Sequence, residues 1–429
     1  MTEDRLPAVA ESLRAAARRF GTPVFVTDLA TIDAAAASLA AAFPDPWVRQ
    51  YSVKANDVAA VIAAACSTAV DRHALGANVV SRGEWAAASR AGVPNRRITL
   101  EGIGKTDQDV RAAADAARRG DPLLWVAVES SDELAALAAS ADRHRPVDVL
   151  LRLNPDVAPE THESLAVGRG GSKFGLTETE LTEAVDAFAD APGLRLRGIH
   201  VHVGSQLGAV DAWRDGVRRA LALVALVRGG VDAFDTLDVG GGFAVAPFGD
   251  AAPEPERFAR ELPPLIDALP VDRRPRRLAI EPGRYLVGRA GWLVGRVLHV
   301  RDRGRRQVVL DTGMTELIRP ALYGARHEVV ALTSLRAAID HAARLPGPGA
   351  DDAAAADVHG PICESTDALG EHLLPPLRRG DLVAIREAGA YAASLGSTYN
   401  GRPRPPQVLL GPDGELALGR RRGSAAALG

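Results

Sequence analysis

VDVLLRLNPDVAPETHESLAVGRGGSKFGLTETELTEAVDAFADAPGLRLRGIHVHV, residues 147–203, reads as strand, loop, helix and strand. The apolar run 147–153 predicts a strand. Over 177–191, Leu181, Val185 and Phe188 recur at i, i+4 and i+7, one face of an amphipathic helix. The run 196–203 predicts the next strand. Strands that alternate with helices imply a parallel sheet, because the chain must cross back before pairing. Further runs at 49–54, 72–80, 97–101, 123–129, 235–239 and 277–281 are separated by Ala-rich helical stretches. Eight repeats of this unit favour closure into a (β/α)8 TIM-type barrel over an open doubly wound sheet.

After residue 284 the texture changes. GWLVGRVLHVRDR, RQVVLDTG and DLVAIREAGAY read as antiparallel strands between Gly and charged turns. The expected domains are an N-terminal segment 1–30 packed on the β-rich domain, a barrel over 31–284 and a β-rich C-terminal domain over 285–429. LPGPGADDAAAAD, 345–357, is expected to be a loop. The 429 residues are 47% hydrophobic and 24% charged with a net charge of -3, values of an ordinary soluble protein. They point to neither a nucleic-acid nor a membrane surface, and Arg420-Arg421-Arg422 reads as a short solvated tail. The first 20 residues read as an amphipathic helix without the apolar core of a signal peptide. Two cysteines, Cys66 and Cys363, make no disulfide framework and fit a reducing cytoplasm.

In such a barrel, chemistry sits at the C-terminal ends of the strands. Only three residues are lysine, Lys54, Lys105 and Lys173, among 51 Lys plus Arg. Lys54 ends the first strand, in RQYSVKAND, where arginine could not lose its proton to become a Schiff-base nucleophile. HVHVGSQ, 200–206, ends the sixth strand, DVGGGF, 238–243, the seventh and EPGR, 281–284, the eighth. Three successive glycines expose three amides that can cradle a phosphate, or serve only a turn that needs positive φ. GxGxxG would require glycine at Val245, and a P-loop ending in GIGKT would require it at Thr99, so neither nucleotide motif is present. His200 and His202, two apart, point to one face; a convincing third metal ligand is missing, and a ring beneath a planar cofactor is the better use. Glu281, buried by its strand position, needs a partner such as a pyridinium nitrogen. Lysine, glycine amides, histidine and carboxylate together describe pyridoxal 5'-phosphate (PLP) chemistry without a metal.

YSVKAN, NPDVAPETHESLAVGRGGSKFG, HVHVGSQ, DVGGGF, EPGRYLV, DTGMTELIRPALY, GPICESTD and EAGAYAASLGSTYNGRP follow in an order that resembles the fold-type III PLP enzymes. Among these the chain is most similar to the diaminopimelate decarboxylases, over nearly its full length. The resemblance implies an alanine racemase-like barrel with a β-rich domain. It implies Lys54 as the aldimine lysine, His202 beneath the cofactor ring and Glu281 at the ring nitrogen. Ser205, Gly240, Gly241, Gly242, Gly283, Arg284 and Tyr391 become phosphate contacts. Arg284, Arg319, Tyr323, Glu364 and Tyr391 would bind the substrate. It further implies a head-to-tail homodimer in which Cys363 enters the neighbouring site and returns a proton to Cα. The implied reaction is decarboxylation of meso-2,6-diaminopimelate to L-lysine. Alternatives are another amino acid, ornithine or lysine of either hand or a carrier-bound aminoacyl group, then a racemase or a non-enzymatic PLP-binding protein. The chain departs from the pattern at Asn78, where the family has aspartate, at Arg82, and at Glu101, where many members have histidine. All three lie near the expected barrel mouth and bear on the substrate.

Overall fold

The computed structural model describes residues 4–66, 74–189, 191–247, 250–332, 353–424 and 426. Residues 72–73 of the expected second strand and 345–352 of the expected loop lie outside them. The chain divides into two compact units: Ala34–Val245 with Ala252–Leu286, and Met1–Asp33 with Ala246–Ala251 and Val287–Gly429.

The first unit holds a closed parallel barrel of Val48–Ser52, Gly76–Val79, Ile98–Leu100, Trp125–Val128, Val147–Leu153, Leu194–Val201, Thr236–Asp238 and Arg277–Ile280. Each expected run contains or overlaps one of these strands. The eighth strand closes on the first through Val48 opposite Ala279 and Arg49 opposite Ile280. Parallel strands are covered on both faces, which explains why their sequences read as unbroken apolar runs rather than alternations. Trp125–Val128 is buried at every residue.

The helices between strands begin where polar caps allow. Thr177 and Glu180 form a capping box for Glu178–Phe188, whose Leu181, Ala184 and Val185 are buried. Thr106 and Asp109 do the same for Asp107–Arg118. GIGKT is therefore a helix cap, and its Lys105 Nζ pairs at 2.9 Å with Glu133 inside the protein.

In the second unit, a nine-stranded sheet runs in the order Ala368–Leu374, Ala354–His359, Arg306–Leu310, Gly291–Asp302, Val24–Asp28, Gln407–Leu410 and Leu416–Arg420. Leu382–Ile385 and Val329–Ala331 complete it. Leu6–Phe20 is the amphipathic helix expected at the start. Its Leu6, Val9 and Leu13 pack with Val24, Trp292, Val294 and Val408 of the sheet. Among the described residues no helix is long and apolar enough to cross a membrane.

Candidate active site

The barrel mouth is assembled by backbone contacts among the strand-end turns. The first strand stops at Ser52, two residues earlier than expected, and Lys54 sits half-buried in the single 3-10 turn Val53–Ala55. Asn56 N donates to Val53 O at 2.9 Å and the Tyr51 hydroxyl to Asn56 O at 3.0 Å, fixing that turn. The turn after the eighth strand lies against it: Ser52 N donates to Pro282 O at 3.0 Å and its hydroxyl to Glu281 O at 3.1 Å. At Gly283 a Cβ would stand 2.9 Å from that of Ser52 and 3.3 Å from that of Ala55, so glycine lets EPGR approach the lysine turn. The Lys54 charge acts on both His200 and His202 and opposes the upward push that burial gives Glu84.

The glycine turn behaves differently from expectation. Gly240 and Gly242 have φ of 68° and 103°, a region glycine enters without strain. A Cβ on Gly241 would come 2.3 Å from Glu281 O, so the fold itself demands glycine there. The Gly240 amide donates to Asp238 Oδ1 at 2.9 Å and the Gly241 amide to His202 Nδ1 at 3.2 Å. Two of the three amides expected to face a phosphate thus have protein acceptors. Phe243 anchors the loop edge-on against Phe258, centroids 5.2 Å apart, and Trp213 Nε1 donates to Val239 O at 3.2 Å.

Those contacts set the orientation of each histidine. The sixth strand ends at Val201, so His202 lies just beyond it, with Nδ1 accepting from the glycine loop. Burial, then the positive charge of Lys54, holds its pKa well below the ordinary value. The ring is neutral, flat and fixed in orientation, as stacking requires. His200 faces elsewhere: its Nδ1 is 3.6 Å from Glu101 Oε2 and its Nε2 is 3.4 Å from Glu281 Oε2. Burial takes it down to about 4. The one group of described side chains with metal-site geometry is Glu101, His200 and Glu281, not the histidine pair weighed from the sequence.

Glu281 is 4% exposed and accepts from Asn78 Nδ2 at 2.5 Å. Glu101, 3% exposed, has Oε2 3.6 Å from His200 Nδ1 and interacts electrostatically with Glu281 in the same buried space. This corrects the expectation that the departures at Asn78 and Glu101 bear on the substrate: their side chains close around the carboxylate assigned to the ring nitrogen. Arg82 is separate, a half-exposed side chain bonded to Asp109 Oδ1 at 3.1 Å on a helix end. Ser205 and Arg284 meet directly, Arg284 Nη2 donating to Ser205 Oγ at 3.1 Å.

The remaining expected residues belong to the second unit. Arg319 and Tyr323 share the short helix Arg319–Tyr323, with Arg319 Nη1 2.9 Å from His327 Nε2. Cys363 and Glu364 are exposed, in a loop pinned by Asp367, which accepts from Met314 N at 2.6 Å and Ile362 N at 2.7 Å. The Tyr399 hydroxyl donates to Glu364 at 2.7 Å. Tyr391 adopts φ 55° beside a chain reversal. Sequence reasoning missed Asp238 as a neighbour of the barrel site, and Tyr399 and His327 as the partners of Glu364 and Arg319 within the second unit. Asp238 carried the one available signal, its place at a strand end within DVGGGF.

A carboxylate lined up with donors, a neutral flat imidazole on a glycine turn and a half-buried lysine fit a pyridine cofactor with an aldehyde. The family model for the pyridoxal-dependent decarboxylase, pyridoxal binding domain, matches residues 29–288. This chain belongs to the pyridoxal-dependent decarboxylases. It is a carboxy-lyase, and its cofactor is PLP. Diaminopimelate decarboxylase of Deinococcus radiodurans is 36% identical, covering 96% of both chains. That of Aquifex aeolicus is 32% identical over 96% of this chain and 91% of its own. The Helicobacter pylori diaminopimelate decarboxylase complexed with L-lysine superposes with a TM-score of 0.83 at 26% identity, over 97% of this chain and 98% of its own.

Proposed function

We propose that this decarboxylase converts meso-2,6-diaminopimelate to L-lysine and CO2. The observation that carries the reading is the end-to-end match to diaminopimelate decarboxylases, which runs through both units rather than the cofactor-binding unit alone. Because L-lysine keeps an L centre, the carbon that loses CO2 is the D centre, and the distal amine and carboxylate belong to the L centre.

Lys54 would hold the aldehyde carbon of PLP, His202 the ring face and Glu281 the ring nitrogen, with Ser205, Gly242 and the Gly283–Arg284 turn around the phosphate. PLP bound there supplies an electron sink for the pair left when the Cα–carboxylate bond breaks. Glu281 keeps that sink effective by holding a proton on the ring nitrogen. The Cys363 thiol gives Cα the proton that replaces CO2. Since Cys363 and Glu364 are exposed on their own chain, we place them in the site of a second copy, in a homodimer. Arg319, Tyr323 and Arg284 suit a distal carboxylate, for which a guanidinium offers paired donors, and Glu364 suits the distal ammonium. The N-terminal segment and residues 285–429 serve as the domain carrying Arg319, Tyr323, Cys363 and Glu364, and the cytoplasm supplies the substrate.

The test is incubation of the holoenzyme with meso-diaminopimelate, L-lysine, L-ornithine or D-ornithine, measuring CO2 and amine product. A site built around a polar group rejects analogues that lack it by roughly 10⁴-fold in favourable cases. Faster turnover of either ornithine than of meso-diaminopimelate would overturn the reading.

A further inference from the structure

Four buried side chains on or just beyond four different barrel strands surround Glu281, which itself follows the eighth strand. Asn78, Glu101, His200, Asp238 and Glu281 are each no more than 4% exposed. Donor and acceptor atoms of Glu101, His200 and Glu281 lie within 4.8 Å of one another. Asp238 acts electrostatically on the same group and accepts the Gly240 amide on Oδ1. Three carboxyl groups in so small a desolvated space cannot all ionise.

The surrounding charges do not relieve this. Arg152 is held 2.6 Å from Glu129, also buried, so its charge is balanced there. Lys54 is the cation that the cofactor would convert. His200 stays neutral, because burial outweighs the carboxylates that would charge it. Asn78 carries no charge, and its amide nitrogen donates to Glu281. Burial, and then the neighbouring Glu281, push the Glu101 carboxyl up to about 8, and burial with the same neighbours carries Asp238 well above the carboxylate range. Of the three, Glu281 has a side-chain amide donor placed on it, that of Asn78, and Asp238 has the backbone amide of Gly240.

We propose that Glu101 works as a neutral carboxylic acid whose O–H is donated to Glu281, a positioning residue that concentrates one negative charge at the cofactor's ring nitrogen. The proposal rests on Glu281 being the ring nitrogen's partner. Glu101 is then part of the device that keeps the electron sink protonated, and its place is just beyond the third strand, which pairs with the second strand that carries Asn78.

Holoenzyme carrying PLP labelled with ¹⁵N at the ring nitrogen tests this by NMR between about pH 6 and pH 9. The parent and Glu101→Gln, whose amide still donates, are expected to keep the ring nitrogen protonated across the range. Glu101→Leu, or Glu101→Met if the leucine variant does not fold, is expected to release that proton about one pH unit earlier and to bind PLP about tenfold more weakly, the loss of one hydrogen bond to a charged group. A Glu101→Leu spectrum and affinity like the parent's would overturn the proposal. So would a Glu101→Gln protein as impaired as the leucine variant, because the group would then act as a charge. Glu281→Gln reads the underlying assignment separately: a ring nitrogen that stays protonated there removes Glu281 itself, and the proposal with it.

Discussion

Asn78→Leu is the perturbation whose outcome follows most directly from the geometry. Asn78 is 1% exposed, on the second barrel strand, and its amide nitrogen donates to Glu281 Oε1 at 2.5 Å. Its own Oδ1 has no hydrogen-bond partner, so leucine, branched at the same carbon, removes the donor to Glu281 and strips no other hydrogen bond. A hydrogen bond to a charged group contributes about 1.5–3 kcal/mol. At about 1.4 kcal/mol per factor of ten, that energy corresponds to roughly a tenfold to hundredfold change in an equilibrium that needs the ionised carboxylate. Binding a protonated pyridine requires the ionised carboxylate, so PLP affinity should fall by about tenfold to a hundredfold. Titration of the apoprotein with PLP, followed by absorbance and protein fluorescence, measures it, with circular dichroism and melting temperature as the check on folding. A folded Asn78→Leu protein that binds PLP within about twofold of the parent would refute the reasoning, since the bond removed would be worth far less than a charged hydrogen bond.

Three further outcomes follow. Cys363→Ala and Lys54→Ala proteins, each nearly inactive, should recover activity when mixed and allowed to exchange subunits; no recovery after demonstrated exchange contradicts a shared site. Arg319→Ala should lower kcat/KM for meso-diaminopimelate and leave the cofactor's visible spectrum unchanged; a shifted spectrum would show that Arg319 acts on the cofactor. Glu101, raised by burial and by Glu281 to about 8, binds more protons folded than unfolded above its ordinary value of 4.5. Its contribution to stability is complete below that value and is lost as pH rises through about 8, so the melting temperature of Glu101→Gln relative to the parent should rise between about pH 5 and pH 8.5.

The barrel was legible because buried parallel strands announce themselves as short apolar runs, and Ala-rich helices space them evenly. The β-rich unit was legible as texture but not as topology, since nothing local in GWLVGRVLHVRDR shows that it pairs with Val24–Asp28 from the other end of the chain. Strand ends pointed to Lys54, His202 and Glu281, because in a barrel position along a strand already selects the mouth. Which of them touch was not legible. Asn78 and Glu281 are 203 residues apart, and their bond depends on barrel closure. For the same reason Asn78 and Glu101 could be recognised as unusual without showing that both interact with Glu281. DVGGGF misled in a smaller way: three glycines display three amides on paper, but the folded turn directs two of them to Asp238 and His202. Lys54 read as a strand end, whereas the chain had already bent at Ser52 to bring it beside the EPGR turn.

The central claim, that the chemistry runs through PLP held on Lys54 at the barrel mouth, is tested most directly by borohydride reduction of the yellow holoenzyme followed by peptide mass mapping. The peptide containing YSVKAND should carry the reduced cofactor on Lys54, with loss of the visible band and of CO2 release from meso-diaminopimelate. Label on Lys105 or Lys173, or a Lys54→Arg protein that keeps both the band and full activity, would contradict the account.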